Sequence, residues 1–327
     1  MLKNKFITLS ICFLFILGLT VFFAAPVQPA SAESLVISVP ASALPAESSS
    51  GPVKVKVGIY VLNIGRLDTS TGAFTVDFYL SFTSDTPSDP GRFEFINGRA
   101  TTIDKSIDEP TSKFYRIQAA LTSNLNLSDY PFDKHNLTIE IEDKEQTINS
   151  QVYEVYYPDS GIDPIVQLAG WNISGFDAEV VEHRYELWDT TFSKYIFNIQ
   201  IERITLAAIL KTLLPAFIIV MVGLLSLLLS PDKIIPRLTL NTGAFTGAVL
   251  FHLNMTSSLP PLGYLTVGDR FMLINYLALT LSLISTLLAL YYVDKKLQVK
   301  ADRIHKLALA IVPLIWLGCQ SLNFLLR

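Results

Sequence analysis

The placement of apolar residues limits what this chain can become more than any other feature. Half of its 327 residues are hydrophobic, yet nearly all of the long apolar runs lie beyond Ile204. The chain therefore reads as an N-terminal half that folds in water, followed by a half that needs lipid. A spanning helix takes about 20 mainly apolar residues. Leu206 to Leu229, Phe271 to Val293 and Leu307 to Leu326 meet that requirement. A further stretch, Pro236 to Leu259, is long enough but carries Thr239, Asn241, Thr242, Thr246, His252, Asn254, Thr256 and Ser257, and is expected to form a helix with two unlike faces. The expected spans are about 206–229, 236–259, 270–293 and 304–326, within a membrane domain over 204–327.

The N-terminus has the three-part layout of a secretory signal over 1–32. Lys3 and Lys5 precede an apolar run from Phe6 to Ala25, and Ala30-Ser31-Ala32 offers the cleavage point. An uncleaved anchor helix is the rival reading. The short loop before the second span holds Lys233 and Arg237, and the link before the fourth holds Lys295, Lys296, Lys300, Arg303 and Lys306. Cation-rich loops face the cytoplasm, so residues 33–203 are expected outside, on a multi-pass protein of the cell membrane. Of the two cysteines, Cys12 lies in the signal and Cys319 in the last apolar run, so the exported segment can form no disulfide. About 170 residues are enough to bury a core without one.

In that segment apolar and polar residues alternate through Val76, Phe78, Leu80 and Phe82, through Leu137, Ile139 and Ile141, and through Tyr195, Phe197, Ile199 and Ile201. Period two predicts strands with one buried face, and the intervening turn signals suit an antiparallel sandwich. Chemistry is sparse. There is no Gly-rich phosphate loop, Ser-nucleophile elbow or zinc-protease motif, and His135, His183, His252 and His305 are too scattered to suggest a metal site. No cofactor is implied. The net charge of −4, without a run of cations among aromatics, argues against nucleic acid.

At about 100° per residue, Thr239, Thr242, Gly243, Thr246, Leu250, Leu253 and Ser257 fall within about 60° of one line along the second span. Such a stripe suits either helix packing or a wetted face. If it is wet, one four-helix bundle is too thin to enclose the path, and a ring of copies is required. A membrane sensor that does not conduct, or a tethered binding domain, is the other reading; a secondary transporter is disfavoured because no internal repeat is visible.

Tyr130-Pro131-Phe132-Asp133, followed by the strand Leu137 to Ile141, resembles the signature loop of the pentameric ligand-gated ion channels in its cysteine-free prokaryotic form. The likeness continues in chain order through Trp171, Arg203, Pro215, Leu259-Pro260, Tyr264, Thr266, Asp269 and Phe271. It implies a β-sandwich above a four-helix bundle, five copies around an axis, and the second span of each lining a pore for inorganic ions. By the resemblance Thr239 forms the narrow inner ring, Thr246 the middle one, and Leu250 with Leu253 an apolar constriction. It also sets the Tyr130 to Asp133 loop and the Leu67-Asp68-Thr69 turn on the link from Pro260 to Tyr264, with Arg203 satisfied by Asp133 and by Asp68. Tyr185 and Trp188 stand where the family keeps an aromatic capping loop, which also reads as a hairpin with exposed aromatics. The agonist, a small molecule or a proton, is not read from these residues. Ile235-Pro236-Arg237 replaces the acidic inner mouth of cation-selective members, leaving charge selectivity open. The segment from Phe82 to Phe95 is short and lacks the Trp of the usual agonist pocket. His252 lies off the stripe, where a packed histidine bonded to a neighbouring helix is expected rather than a proton sensor.

Overall fold

Alternating burial builds the N-terminal half. In the strand β2 (Ala73–Ser84), Val76, Phe78, Leu80 and Phe82 are all buried, because successive side chains of a strand point to opposite faces. The computed structural model describes residues 51–326; the secretory-signal reading of 1–32 lies outside them. The remaining strands are β1 (Val53–Ile64), β3 (Phe93–Phe95), β4 (Gly98–Glu109), β5 (Ser112–Thr122), β6 (Lys134–Asp143), β7 (Gln151–Val155), β8 (Gly161–Ile162), β9 (Trp171–Tyr185) and β10 (Thr190–Arg203). They form two sheets. One runs β4-β5-β2-β1-β7, with β8 also on β1, and the other runs β3-β6-β10-β9. Leu137, Ile139 and Ile141 of β6 lie opposite Ile199, Phe197 and Tyr195 of β10. These side chains meet Val57, Ile59, Phe78 and Leu80 of the first sheet in one apolar core. The β1–β2 turn depends on Gly72, whose φ is +71° and whose missing Cβ would lie 2.0 Å from the Ser123 carbonyl oxygen. Only glycine fits there.

Helix begins two residues after β10. It runs through Thr205–Leu228 (α1), Ile234–Thr256 (α2), Val267–Asp294 (α3) and Gln298–Leu325 (α4). Among the described residues α1, α3 and α4 are long and apolar enough to cross a membrane; the hydroxyl-rich α2 is not among them. A π-helical turn at Ile209–Leu213 precedes Pro215 in α1. Pro215 has no N–H to offer the carbonyl one turn back and its ring crowds it, so the ladder widens there. The third helix starts earlier than Phe271 because Thr266 and Asp269 make a reciprocal cap. The Thr266 hydroxyl accepts the Asp269 N–H at 3.0 Å, and the Asp269 carboxylate accepts the Thr266 N–H at 2.9 Å.

Polar side chains fasten α4 to α3. The Trp316 indole N–H and the Gln320 amide both donate to Asn275 Oδ1, at 2.8 and 2.9 Å, and Gln320 also donates to the Phe271 carbonyl. Asn275 is fully buried. Asn275→Leu is expected to leave the Trp316 N–H without an acceptor and to cost about 1–3 kcal/mol, read as a lower Tm of the full chain in detergent. An unchanged Tm would mean that apolar packing alone holds α4.

Candidate functional site

The loop between β5 and β6 leaves the sandwich and enters the helical core. Leu127 and Tyr130 are buried there with Met255 of α2 and Phe271 of α3. Backbone groups seat the loop: the Val267 N–H donates to the Ser128 carbonyl and the Gly268 N–H to the Tyr130 carbonyl, both at 2.9 Å. Gly268 packs against the Tyr130 ring and Met255, where an added Cβ would meet both at an ordinary van der Waals distance of 3.4 Å. The Leu127 N–H donates to the Tyr264 hydroxyl at 2.9 Å. Phe132 packs edge-on to Phe324 near the end of α4, with ring centres 6.1 Å apart. The Tyr130–Pro131 peptide bond is cis.

Behind the loop lies a buried charge cluster. Arg203, the last residue of β10, donates from Nε and Nη2 to the two carboxylate oxygens of Asp133, at 2.7 and 2.9 Å. Its backbone N–H also donates to the Asp133 carbonyl. The guanidinium carbon lies 4.3 Å from the Trp171 ring centre and 5.1 Å from that of Tyr130, so aromatic faces cover the cation that the carboxylate neutralises. His135 Nε2 is 2.7 Å from Asp133 Oδ2, and its ring meets that of Trp171. Asp133 is 1% exposed. Burial raises its pKa, but the hydrogen bonds from His135 and Arg203 outweigh that and bring it down to about 2. Asp133 is thus a fixed negative charge at any mildly acidic pH.

Asp68, of the expected coupling set, is bonded within its own turn. The Asp68 carboxylate accepts from the Ser70 N–H and hydroxyl, at 2.9 and 2.6 Å, which closes its own turn and holds its pKa below the usual carboxylate range. Among the described residues it makes no ion pair with Arg203, whose partner is Asp133. The loop rests on Tyr264, at the end of the Pro260 to Tyr264 link, and on the first turn of α3. His135 joins the cluster although the sequence reading gave it no role; its place two residues after Asp133, on the same face of the strand, was the available signal.

The helix α2 presents two faces. Arg237, Asn241, Ala244, Ala248 and Met255 are buried against the rest of the bundle. Thr239, Thr242, Gly243, Thr246, Leu250, Leu253 and Ser257 are all exposed in the single chain, with Leu250 and Leu253 at 61% and 62%. Asn254 is exposed beside them. The Thr239 and Thr242 hydroxyls donate back to the Ile235 and Leu238 carbonyls, leaving oxygen lone pairs on that face. His252 faces α3, with Nδ1 3.1 Å from the Tyr276 hydroxyl and Nε2 3.1 Å from Asp269 Oδ1. One carboxylate therefore both caps α3 and holds α2. Asp269→Ala is expected to cost about 0.5–2 kcal/mol through the lost cap alone, measured by thermal unfolding; a Tm equal to that of the parent chain would contradict the cap's role.

At the far end of the sandwich, Tyr185 closes β9 beneath the hairpin tip. Its hydroxyl donates to Glu142 at 3.0 Å, and His183 Nδ1 lies 2.5 Å from the same carboxylate. Burial, and then Glu142, push the Tyr185 hydroxyl up to about 12, so it stays a donor. The Trp188 ring is 5.7 Å from that of Tyr185 and mostly exposed.

No family model matches the chain. It is 23% identical over 292 residues to a proton-gated ion channel of Gloeobacter violaceus, a match spanning 81% of each chain. The order of the fold, strands followed by apolar helices, is in keeping with that distant likeness to a membrane channel.

Proposed function

We propose that the chain is a subunit of a pentameric ligand-gated ion channel, in which an extracellular stimulus opens a pore lined by α2. The observation that carries this reading is the unpacked stripe of α2. Residues turned to lipid are apolar, so a face bearing Thr239, Thr242, Thr246 and Ser257 beside two large leucines suits water better than acyl chains. Five copies of one helix enclose a narrow path in which hydroxyl rings hydrate ions and the Leu250 and Leu253 rings close it by dewetting. Each subunit therefore needs four further copies of itself, arranged by closed cyclic symmetry. The β half faces outward from the cell membrane, as the cations between the spans require.

Coupling runs through the Asp133–Arg203 pair, which ties the end of β10, and hence the start of α1, to the loop seated on α3. The hairpin bearing Tyr185 and Trp188 lies on the same strand pair, β9 and β10, so a ligand gripped there pulls on Arg203. The relative's name makes protons the first stimulus to try. The test is reconstitution of the purified full chain in planar bilayers under sodium chloride gradients, stepping the outer pH and adding small amines and carboxylates. Unitary currents support the reading, and their reversal potential distinguishes cations from anions. Monomers that carry no current would overturn it.

A further inference from the structure

Two carboxylates stand side by side on the second sheet, on the face turned away from the sandwich core. Glu142 of β6 lies directly across the ladder from Glu94 of β3, and like charges in that position repel. Glu142 is 2% exposed, and a buried carboxylate needs a counter-charge. Among the described residues Glu94 makes no ion pair, and the ion-pair partner of Glu142 is His183 of β9. The ammonium group of Lys194, on the intervening strand β10, is taken by Glu140 at 3.1 Å. Glu142 therefore takes its counter-charge from a side chain whose charge depends on pH.

A second observation ties this pair to the hairpin between β9 and β10. Both side-chain hydrogen bonds to Glu142 come from β9, one from His183 Nδ1 and one from the Tyr185 hydroxyl. Aromatic rings continue from there to the tip. The His183 and Tyr185 rings are 4.5 Å apart between centres, and Tyr185 is 5.7 Å from both Trp188 and Phe192. Phe192 is also the residue opposite His183 on β10. Arg184 is paired with Asp189 across the tip and does not compete for Glu142. The His183 side chain is 33% exposed, so a proton reaches it from the surrounding water.

We propose that His183 and Glu142 form a proton-binding site that latches the β9–β10 hairpin to β6. With the imidazole neutral, Nδ1–H donates an ordinary hydrogen bond to the carboxylate. A proton taken from water onto Nε2 turns the ring into an imidazolium. The same bond is then charge-assisted and stronger, and the new positive charge offsets the repulsion between Glu142 and Glu94. Histidine ordinarily makes this change between pH 5 and 8, so acid tightens the hairpin and alkali loosens it. The inference deepens the channel reading by naming where a proton stimulus is received. It rests on that reading for the passage from the hairpin along β10, which ends at Arg203, to the pore. The latch itself needs only the folded β half.

The test is hydrogen–deuterium exchange of the purified full chain in detergent, read by mass spectrometry over peptides that cover residues 183–192. Exchange is compared at about pH 5.5 and about pH 7.5, either side of the usual histidine transition, and corrected for the intrinsic pH dependence of amide exchange. The parent hairpin is expected to exchange about fivefold more slowly at the lower pH, in keeping with the difference between a neutral and a charged hydrogen bond. His183→Asn keeps an amide donor near the position of Nδ1 but takes up no proton, and its corrected exchange is expected to be the same at both pH values. Glu142→Gln is expected to lose the response as well, because the imidazolium then has no carboxylate to hold. A parent hairpin that exchanges equally at both pH values overturns the proposal, as does a His183→Asn chain that keeps the parent's response. Should His183→Asn fail to fold, a Glu142→Gln chain that keeps the response overturns it. No current is recorded, so a failure here is separate from failure of the channel reading.

Discussion

Asp133→Ala is expected to abolish stimulus-evoked current or to prevent assembly, with a loss of about 3–5 kcal/mol in stability. The reason is the asymmetry of a buried pair. Arg203 has Trp171 and Tyr130 against its faces and its Nε and Nη2 committed to Asp133. Removing the carboxylate leaves a largely dehydrated cation that nothing nearby neutralises, and leaves His135 without its acceptor. The measurement is surface expression and current in parallel, together with Tm in detergent. Normal currents at normal surface levels would sink the coupling role.

The same pair sets a pH dependence with a definite sign. The carboxyl is depressed from 3.8 to about 2 in the folded chain, so its contribution is complete above pH 4 and is lost as the pH falls toward 2. The linked loss is about 2 kcal/mol over that window. Acid unfolding of Asp133→Asn should therefore show a shallower decline between pH 4 and 2 than the parent chain.

Leu250→Ser is expected to produce standing current without stimulus, or to lower the stimulus required by more than about tenfold. Leu250 is 61% exposed in the single chain, and its closed-state packing comes from other copies in the proposed ring. Serine removes about three carbon groups per copy, each worth about 0.8 kcal/mol when withdrawn from water. Five copies change together, so even a small part of that sum shifts the open–closed balance by more than about tenfold. Bilayer recordings decide it: a ring that stays shut without stimulus, and needs as much stimulus as the parent, would remove Leu250 from the gate.

Much of the architecture was legible in the order of the residues. Period two in Val76 to Phe82, Leu137 to Ile141 and Tyr195 to Ile201 announced strands, because a half-buried strand must alternate. The three apolar helices followed from length and composition, because lipid accepts nothing else at that depth. The exposed stripe of α2 was visible as a helical projection, since the angle between residues is a property of the backbone alone. What depended on tertiary structure was the choice of partner. The family resemblance named Asp133 first for Arg203 and Asp68 in addition; the folded turn bonds Asp68 to Ser70, while the loop carries Asp133 to the end of β10. His135 and His183 acquired neighbours on elements far away in the chain, and Arg237 lost its water because α2 turned it inward. Periodicity and composition act locally and survive in the sequence, whereas the pairing of charges depends on which distant elements the packed core brings within about 3 Å, and only the folded chain decides that.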